Sequence, residues 1–171
     1  PGADPKLYSE ITDTTKMVSI VEEYLEDYNS THTKKMPLVM FVDAVGHVAR
    51  ISRVIRQPLG NALLLGVGGS GRQSLTRLAA AMGEMELFQI EITKSYGKVE
   101  WKDDLKKLRF KTGEEGKQLV FLFSDTQIVK ESFLEDINNV LNTGEVPNLF
   151  DDNDQRQIMN SRRPICHPAG L

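Results

Sequence analysis

Two kinds of hydrophobic pattern divide the chain. In the first third, apolar residues recur at helical spacing: Met17, Val21, Tyr24 and Tyr28 share one face, the i, i+4, i+7, i+11 stripe of an amphipathic helix. Asp13 or Thr14 is placed to cap that helix, which is expected to run to about Tyr28 and stop in the polar Asn29–Lys35 stretch. After Pro37, the stripe Phe41, Ala44, Val45, Val48, Ile51 and Ile55 predicts a second helix, ended by Pro58 and Gly60. Beyond residue 60 the pattern changes to short apolar runs alternating with helical stripes. Residues 62–65 read as a strand buried on both faces, followed by a helix bearing Leu75, Leu78, Ala79 and Met82. A second strand is expected over 87–92, a helix around Trp101, Leu105 and Leu108, a third strand over 119–123, and a helix bearing Phe133, Ile137, Val140 and Leu141. Strands alternating with helices predict an α/β fold with a parallel sheet. Residues 151–171 show no period and read as an irregular or disordered tail, as residues 1–10 read as a linker or tail.

Composition narrows the class. The chain has 171 residues, 21 Lys+Arg against 24 Asp+Glu, a net charge of −3 and a single cysteine, Cys166. That length suits one domain burying roughly 70% of its unfolded surface. The mild negative charge argues against an electrostatic nucleic-acid binder. A lone thiol forms no internal disulfide and suits a reducing compartment. The longest apolar runs fall far short of the ~20 residues a membrane-spanning helix needs, and no basic-then-apolar leader opens the chain. A soluble intracellular domain with no nucleic-acid or membrane partner is the expectation.

The segment that carries chemistry is Gly66-Val67-Gly68-Gly69-Ser70-Gly71-Arg72-Gln73-Ser74. It falls between an expected strand and an amphipathic helix, where a phosphate-binding loop belongs, and Gly66 and Gly71 keep the spacing of GxxxxGK[ST]. Glycines let backbone N–H groups converge on phosphate oxygens, and the helix start adds partial positive charge. The dipole supplies only ~0.3–1 kcal/mol per anionic charge, so the amides must do most of the holding. Two positions depart from the motif. Arg72 replaces the compact lysine ammonium with a planar fork. Gln73 replaces the hydroxyl that would meet Mg²⁺, and Ser74 follows one residue late, about 100° further round the helix. Phosphate binding stays plausible and fast hydrolysis is disfavoured. The structural alternative is a tight strand–helix turn, although four glycines within six residues exceed what a turn requires.

A nucleotide site also needs a carboxylate at the end of a neighbouring strand. Ser124-Asp125-Thr126 offers one, Asp125. Either Asp125 holds the metal and Thr126 stands where the water-activating acid should be, or Asp125 orients water and Ser124 stands at the metal position. Asp125 as a plain turn-capping residue is the structural alternative. Asp125 and Ser74 are therefore the candidate Mg²⁺ contacts. His32, His47 and His167 are too scattered for a metal site. Arg50, Arg53 and Arg56 suit a solvated basic face, and Trp101 suits a core.

These residues resemble a known family. Residues 60–80 (GNALLLGVGGSGRQSLTRLAA), 100–108 (EWKDDLKKL) and 120–150 (VFLFSDTQIVKESFLEDINNVLNTGEVPNLF) are similar to the fourth AAA+ module of axonemal dynein heavy chains, with 22–58 resembling its entry region. The resemblance covers roughly residues 8–150. It implies a helical entry region over 11–58 and a P-loop α/β core over 59–150. The expected architecture is an AAA+ type three-layer parallel sheet with flanking helices, incomplete at the C-terminus because the family's next strand lies between the first and third. An aggregation-prone or partner-dependent isolated chain is the corresponding expectation. The resemblance further implies a regulatory ATP/ADP-binding member of a motor ring, with Mg²⁺ weak or optional and Leu38 and Val39 against the adenine. Neighbouring AAA+ modules are the implied partners, microtubules are reached only through the complete motor, and the implied location is the cytoplasm, the axoneme of cilia or flagella, and the cytoskeleton. A small P-loop phosphotransferase and a non-binding AAA+ scaffold are the alternatives.

Overall fold

The structure is a computed structural model that describes residues 11–113 and 116–166. The chain divides into two compact units, Pro1–Met85 and Glu86–Leu171. Within the first unit, the helix that follows the glycine-rich segment packs with the upstream helices.

In the first unit, α1 (Thr14–Thr31) starts where Asp13 caps it, the Lys16 N–H donating to Asp13 Oδ1 at 2.9 Å. The Asn29 side chain then holds both polar groups of Met36, donating to its carbonyl at 3.1 Å and accepting from its N–H at 2.7 Å. This clamp turns Met36 into the core. α2 (Val42–Ile55) buries Ala44, Val45, Val48 and Ile51, as its stripe predicts. Phe41 departs from the stripe: it is the residue before the helix and stays 58% exposed. α3 (Arg72–Met82) adds Leu75, Leu78 and Ala79 to a single core with Val21, Leu25, Met36, Met40, Val45, Val48 and Ile51.

The strand expected over 62–65 is absent. The segment carries no ladder, and Leu63 and Leu65 are 85% and 83% exposed, while Leu64 alone packs on the core cluster. An apolar run has the composition of a buried strand, but a strand also needs neighbours for its N–H and C=O groups. Among the described residues the sheet has two strands, neither from this segment.

In the second unit, β1 (Glu86–Phe88) and β2 (Leu119–Phe121) pair in parallel with Glu86 opposite Leu119 and Phe88 opposite Phe121. Both strands are shorter than their apolar runs predict. α4 (Lys98–Gly113) makes the crossover that a parallel pair requires. α5 (Glu131–Thr143) ends at Gly144, which takes the left-handed φ of 74° that glycine tolerates. The core here is aromatic: Trp101 stacks on Phe133 at 4.4 Å, with Tyr96 edge-on to Phe133 at 6.2 Å. Trp101 Nε1 donates to Asp136 Oδ2 at 2.8 Å, tying α4 to α5 through a buried indole. Leu141, expected on the buried face, is half-exposed at the far end of α5.

Residues 152–166, expected to be irregular, form α6 (Asp152–Cys166). Its faces are mostly polar, so no apolar stripe announced it. Capping and an ion pair hold it instead: Asp151 Oδ1 accepts from the Asn153 and Asp154 N–H groups at 2.9 and 2.8 Å, and Lys106 of α4 meets Asp154 at 2.6 Å. The described residues thus form six α-helices and a two-stranded parallel sheet, the α/β class with parallel pairing that the alternating pattern predicts.

Candidate functional site

The loop that precedes α3 is built by glycine backbone. Gly69 and Gly71 take φ of 79° and 76°, left-handed values that an L side chain resists. Between them and Val67 the chain folds into a turn closed by the Ser70 N–H donating to the Val67 carbonyl at 3.3 Å. Gly71 is the N-cap of α3; its carbonyl accepts from Leu75 N–H at 2.8 Å, and no side chain caps the helix start. The N–H groups of Gly68, Gly69, Gly71, Arg72, Gln73 and Ser74 find no acceptor among the described residues. Such a run of free donors at a helix start is the arrangement that accepts an anion.

The space around the loop suits a bulky ligand on one side. A Cβ on Gly68 or Gly69 would meet nothing within 4 Å, so that side is open. A Cβ on Gly66 would lie 3.1 Å from Ser70 Oγ and 3.6 Å from Arg72 Cδ. Arg72 folds back over the loop, Nη2 donating to the Val67 carbonyl at 3.3 Å and Nη1 to the Leu64 carbonyl at 3.5 Å. Both contacts lie beyond the usual N–H···O range, so the guanidinium is lightly held. Gln73 is exposed and Ser74 half-buried on the first turn of α3. In the same unit, Leu38 packs partly on the core that also receives Leu64, and Val39 stands 83% exposed.

The second candidate element stands at the carboxyl end of β2. Asp125 opens a 3-10 turn, Asp125–Gln127, and is exposed, its Oδ1 accepting the Thr126 N–H at 3.0 Å. Ser124 Oγ lies 3.0 Å from Thr126 Oγ1. Open α/β sheets place ligands at the carboxyl ends of their strands, which is where this turn sits relative to β1 and β2. The residue that sequence reasoning missed is Gln127, 5% exposed and bonded on both sides of its side-chain amide. The spacing Ser124-x-x-Gln127, that of a capping box, was the available signal.

The donor set fits a metal only in a particular way. No cluster of three or more His, Cys, Asp or Glu side chains is placed to hold an ion among the described residues. One carboxylate and one or two hydroxyls suit Mg²⁺ that arrives with phosphate oxygens and keeps its waters. His32 caps α1 and His47 is exposed on α2; Arg50, Arg53 and Arg56 are exposed, as their spacing predicts. His167 lies outside the described residues. No helix among the described residues is long and apolar enough to cross a membrane.

A glycine-built turn at the start of an amphipathic helix, in a chain that also carries a parallel βαβ unit, belongs to an α/β protein. Comparison with known proteins narrows the class. Residues 36–170 match the family described as P-loop containing dynein motor region D4. The chain is 57% identical over 171 residues to dynein axonemal heavy chain 1 of Rattus norvegicus, covering 100% of this chain and 4% of that protein. It is 49% identical over 172 residues to dynein axonemal heavy chain 6 of Homo sapiens, covering 99% and 4%. It is 48% identical over 171 residues to the dynein-1-beta heavy chain, flagellar inner arm I1 complex, of Chlamydomonas reinhardtii, again covering 99% and 4%. The chain belongs to the dynein motor region D4 family. It spans about one twenty-fifth of the length of these relatives, at 4% of each. The family match extends past residue 150, through residue 170.

Proposed function

We propose that this chain is a nucleotide-binding module of a dynein motor, regulatory in character, with slow or no hydrolysis of its own. The observation that carries the reading is the set of unpaired amides of Gly68, Gly69, Gly71, Arg72, Gln73 and Ser74 at the start of α3. Those donors hold the phosphates of ATP or ADP. Arg72 gives up its two long carbonyl contacts and places its guanidinium on a phosphate oxygen, and Leu38 and Val39 offer apolar surface to the adenine. Mg²⁺, carried in with the nucleotide, neutralises phosphate charge with Ser74 contributing one oxygen, and Asp125 is the candidate cation contact of the second unit. A second carboxylate to activate water is missing from Ser124-Asp125-Thr126, which supports weak catalysis. An arginine from an adjacent module is the group that would restore it, being worth roughly 10³–10⁵ in rate. The printed names of the relatives, axonemal and flagellar, support a place in the axoneme of cilia or flagella, within the cytoplasmic cytoskeleton. The partners in this reading are neighbouring AAA+ modules, and microtubules only through the complete motor.

The test is a titration of a fluorescent ATP analogue with and without Mg²⁺, comparing the parent with Arg72→Ala. A hydrogen bond to a charged group is worth ~1.5–3 kcal/mol, so Arg72→Ala should weaken binding by about ten- to a hundredfold. Binding that persists without Mg²⁺ supports the regulatory reading. A folded parent that binds nothing leaves the scaffold alternative, and phosphate transfer to a small acceptor would revive the phosphotransferase.

A further inference from the structure

The first two helices of the first unit keep their charges apart. α1 exposes Glu22, Glu23, Glu26 and Asp27, and no basic residue follows Lys16 in that helix. α2 exposes Arg50 and Arg53, continues to Arg56 at its C-cap, and has no acidic residue after Asp43. Carboxylates at 22 and 26, and at 23 and 27, stand i, i+4 apart, and the guanidiniums stand i, i+3 apart, so each face repels itself. A helix face that is only solvated commonly alternates sign, which removes that repulsion. The helix dipole accounts for part of the pattern, since Arg53 lies in the last turn of α2 where a cation is favoured. It does not account for Arg50, a turn earlier, or for the α1 carboxylates, none of which falls in the first turn.

The two faces fit each other in length and in shape. Arg50 to Arg56 covers about 9 Å of helix axis and Glu22 to Asp27 about 8 Å. Each strip lies away from the residues its helix buries, Val21 and Leu25 in α1 and Val45, Val48 and Ile51 in α2, so both face outward from the unit. Beside the arginines the surface is flat. Val42, Ala49, Arg53 and Arg56 follow i, i+7, i+11 and i+14 on one side of the helix, with Val42 54% exposed. Gly46 falls between Val42 and Ala49 on that side, and a Cβ there would meet nothing within 4 Å. Glycine inside a helix costs stability relative to alanine, and no close neighbour among the described residues requires it here. A helix arriving from outside would use that room.

We propose that the outward face of α2 docks the acidic face of α1 from a second copy of the chain. Because the two faces differ, the contact is head-to-tail: every copy in it still offers one unused face, and association continues beyond a pair. Exposed ion pairs are individually weak, so the contact has low affinity and takes its alignment and salt dependence from charge. A net charge of −3 sets little repulsion against it. Nothing in the contact depends on nucleotide.

The test is sedimentation velocity of the 171-residue chain over a concentration series, at about 0.01 M and about 1 M salt, where the screening length falls from ~30 Å to ~3 Å. The parent is expected to sediment faster with concentration at low salt and as a monomer at high salt. Two double variants, Arg50→Glu with Arg56→Glu and Glu22→Lys with Glu26→Lys, leave Arg53 in place, and circular dichroism confirms their helices. Each should lose roughly tenfold or more in association constant. Mixed one to one they should associate again, since the unaltered α1 of the first meets the unaltered α2 of the second. If reversal disturbs α2, Arg50→Gln with Arg56→Gln removes the same two charges and should weaken association in the same direction. A parent that stays monomeric at low salt overturns the proposal. So does association that neither double variant weakens, or a mixture of the two that stays monomeric.

Discussion

The loop's glycines give a prediction whose size follows from backbone angles. Gly71 has φ 76° and ψ 4°, and a Cβ there would meet only Leu75 Cγ, at 4.0 Å. Space is therefore no obstacle to Gly71→Ala; conformation is. Holding an L residue in the left-handed region costs ~1–2 kcal/mol, partly offset by ~0.4–1 kcal/mol from the stiffer unfolded chain. That leaves a net penalty of about 1 kcal/mol, which must surface in one of two places. If the loop stays left-handed, stability falls by that amount, about 2–4 °C in melting temperature for a chain of this size. If the loop relaxes, stability holds, the first amides of α3 lose their aim, and a phosphate ligand must restore them, weakening its dissociation constant about fivefold. The two effects share one strain energy, so their sum is what the structure fixes. Gly68→Ala is the control: no positive φ and nothing within 4 Å of its Cβ. The assay pairs thermal melting with titration of a fluorescent ATP analogue for parent, Gly68→Ala and Gly71→Ala. Equal, near-zero effects from both substitutions would refute the left-handed loop, and so would a larger effect from Gly68→Ala than from Gly71→Ala.

Other consequences can be checked on the same material. Phe133→Ala removes a fully buried ring stacked on Trp101 and should cost ~3–5 kcal/mol, read as an earlier denaturant midpoint in Trp101 emission. Leu59 is 92% exposed with φ 56°; Leu59→Gly should leave stability unchanged or raise it by up to about 1 kcal/mol, measured by melting. The Lys111 ammonium beside Glu86 and the Lys106 ammonium beside Asp154 hold both carboxyls below their ordinary range. Their contribution is therefore present above that range and is lost as pH falls through it, so the denaturant midpoint should drop in acid and more salt should shrink the effect. Burial and the hydrogen bond to Asp104 push the Tyr96 phenol up. That contribution is present below the ordinary phenol range and is lost as pH rises beyond it, giving a second decline in strong base.

What the sequence reveals, and what it hides, follows from the kind of force at each position. α1, α2, α3 and α5 are readable because each buries a stripe, and a stripe leaves a 3.6-residue period. Asp13 as the α1 cap is readable for the same local reason. The phosphate-loop candidates were visible as residues, and the structure adds the left-handed turns and free amides that give them a shape. Residues 62–65 misled because an apolar run reports composition, whereas a strand depends on a partner elsewhere in the chain. α6 stayed hidden because capping at Asp151 and the Lys106–Asp154 pair leave no period. Gln127 stayed hidden because its bond to the Ile90 carbonyl depends on the register of β1 against β2, and register is not written in either strand alone.

The central claim is that the backbone from Gly68 to Ser74 receives a polyphosphate. Nitrogen–proton correlation spectra of the labelled chain, recorded while ADP is added without Mg²⁺, address it amide by amide. The account predicts that the signals of Gly68, Gly69, Gly71 and Arg72 move first and furthest, saturating together with one dissociation constant. Unmoved loop signals in a folded chain at millimolar ADP, or shifts confined to other residues, would contradict it.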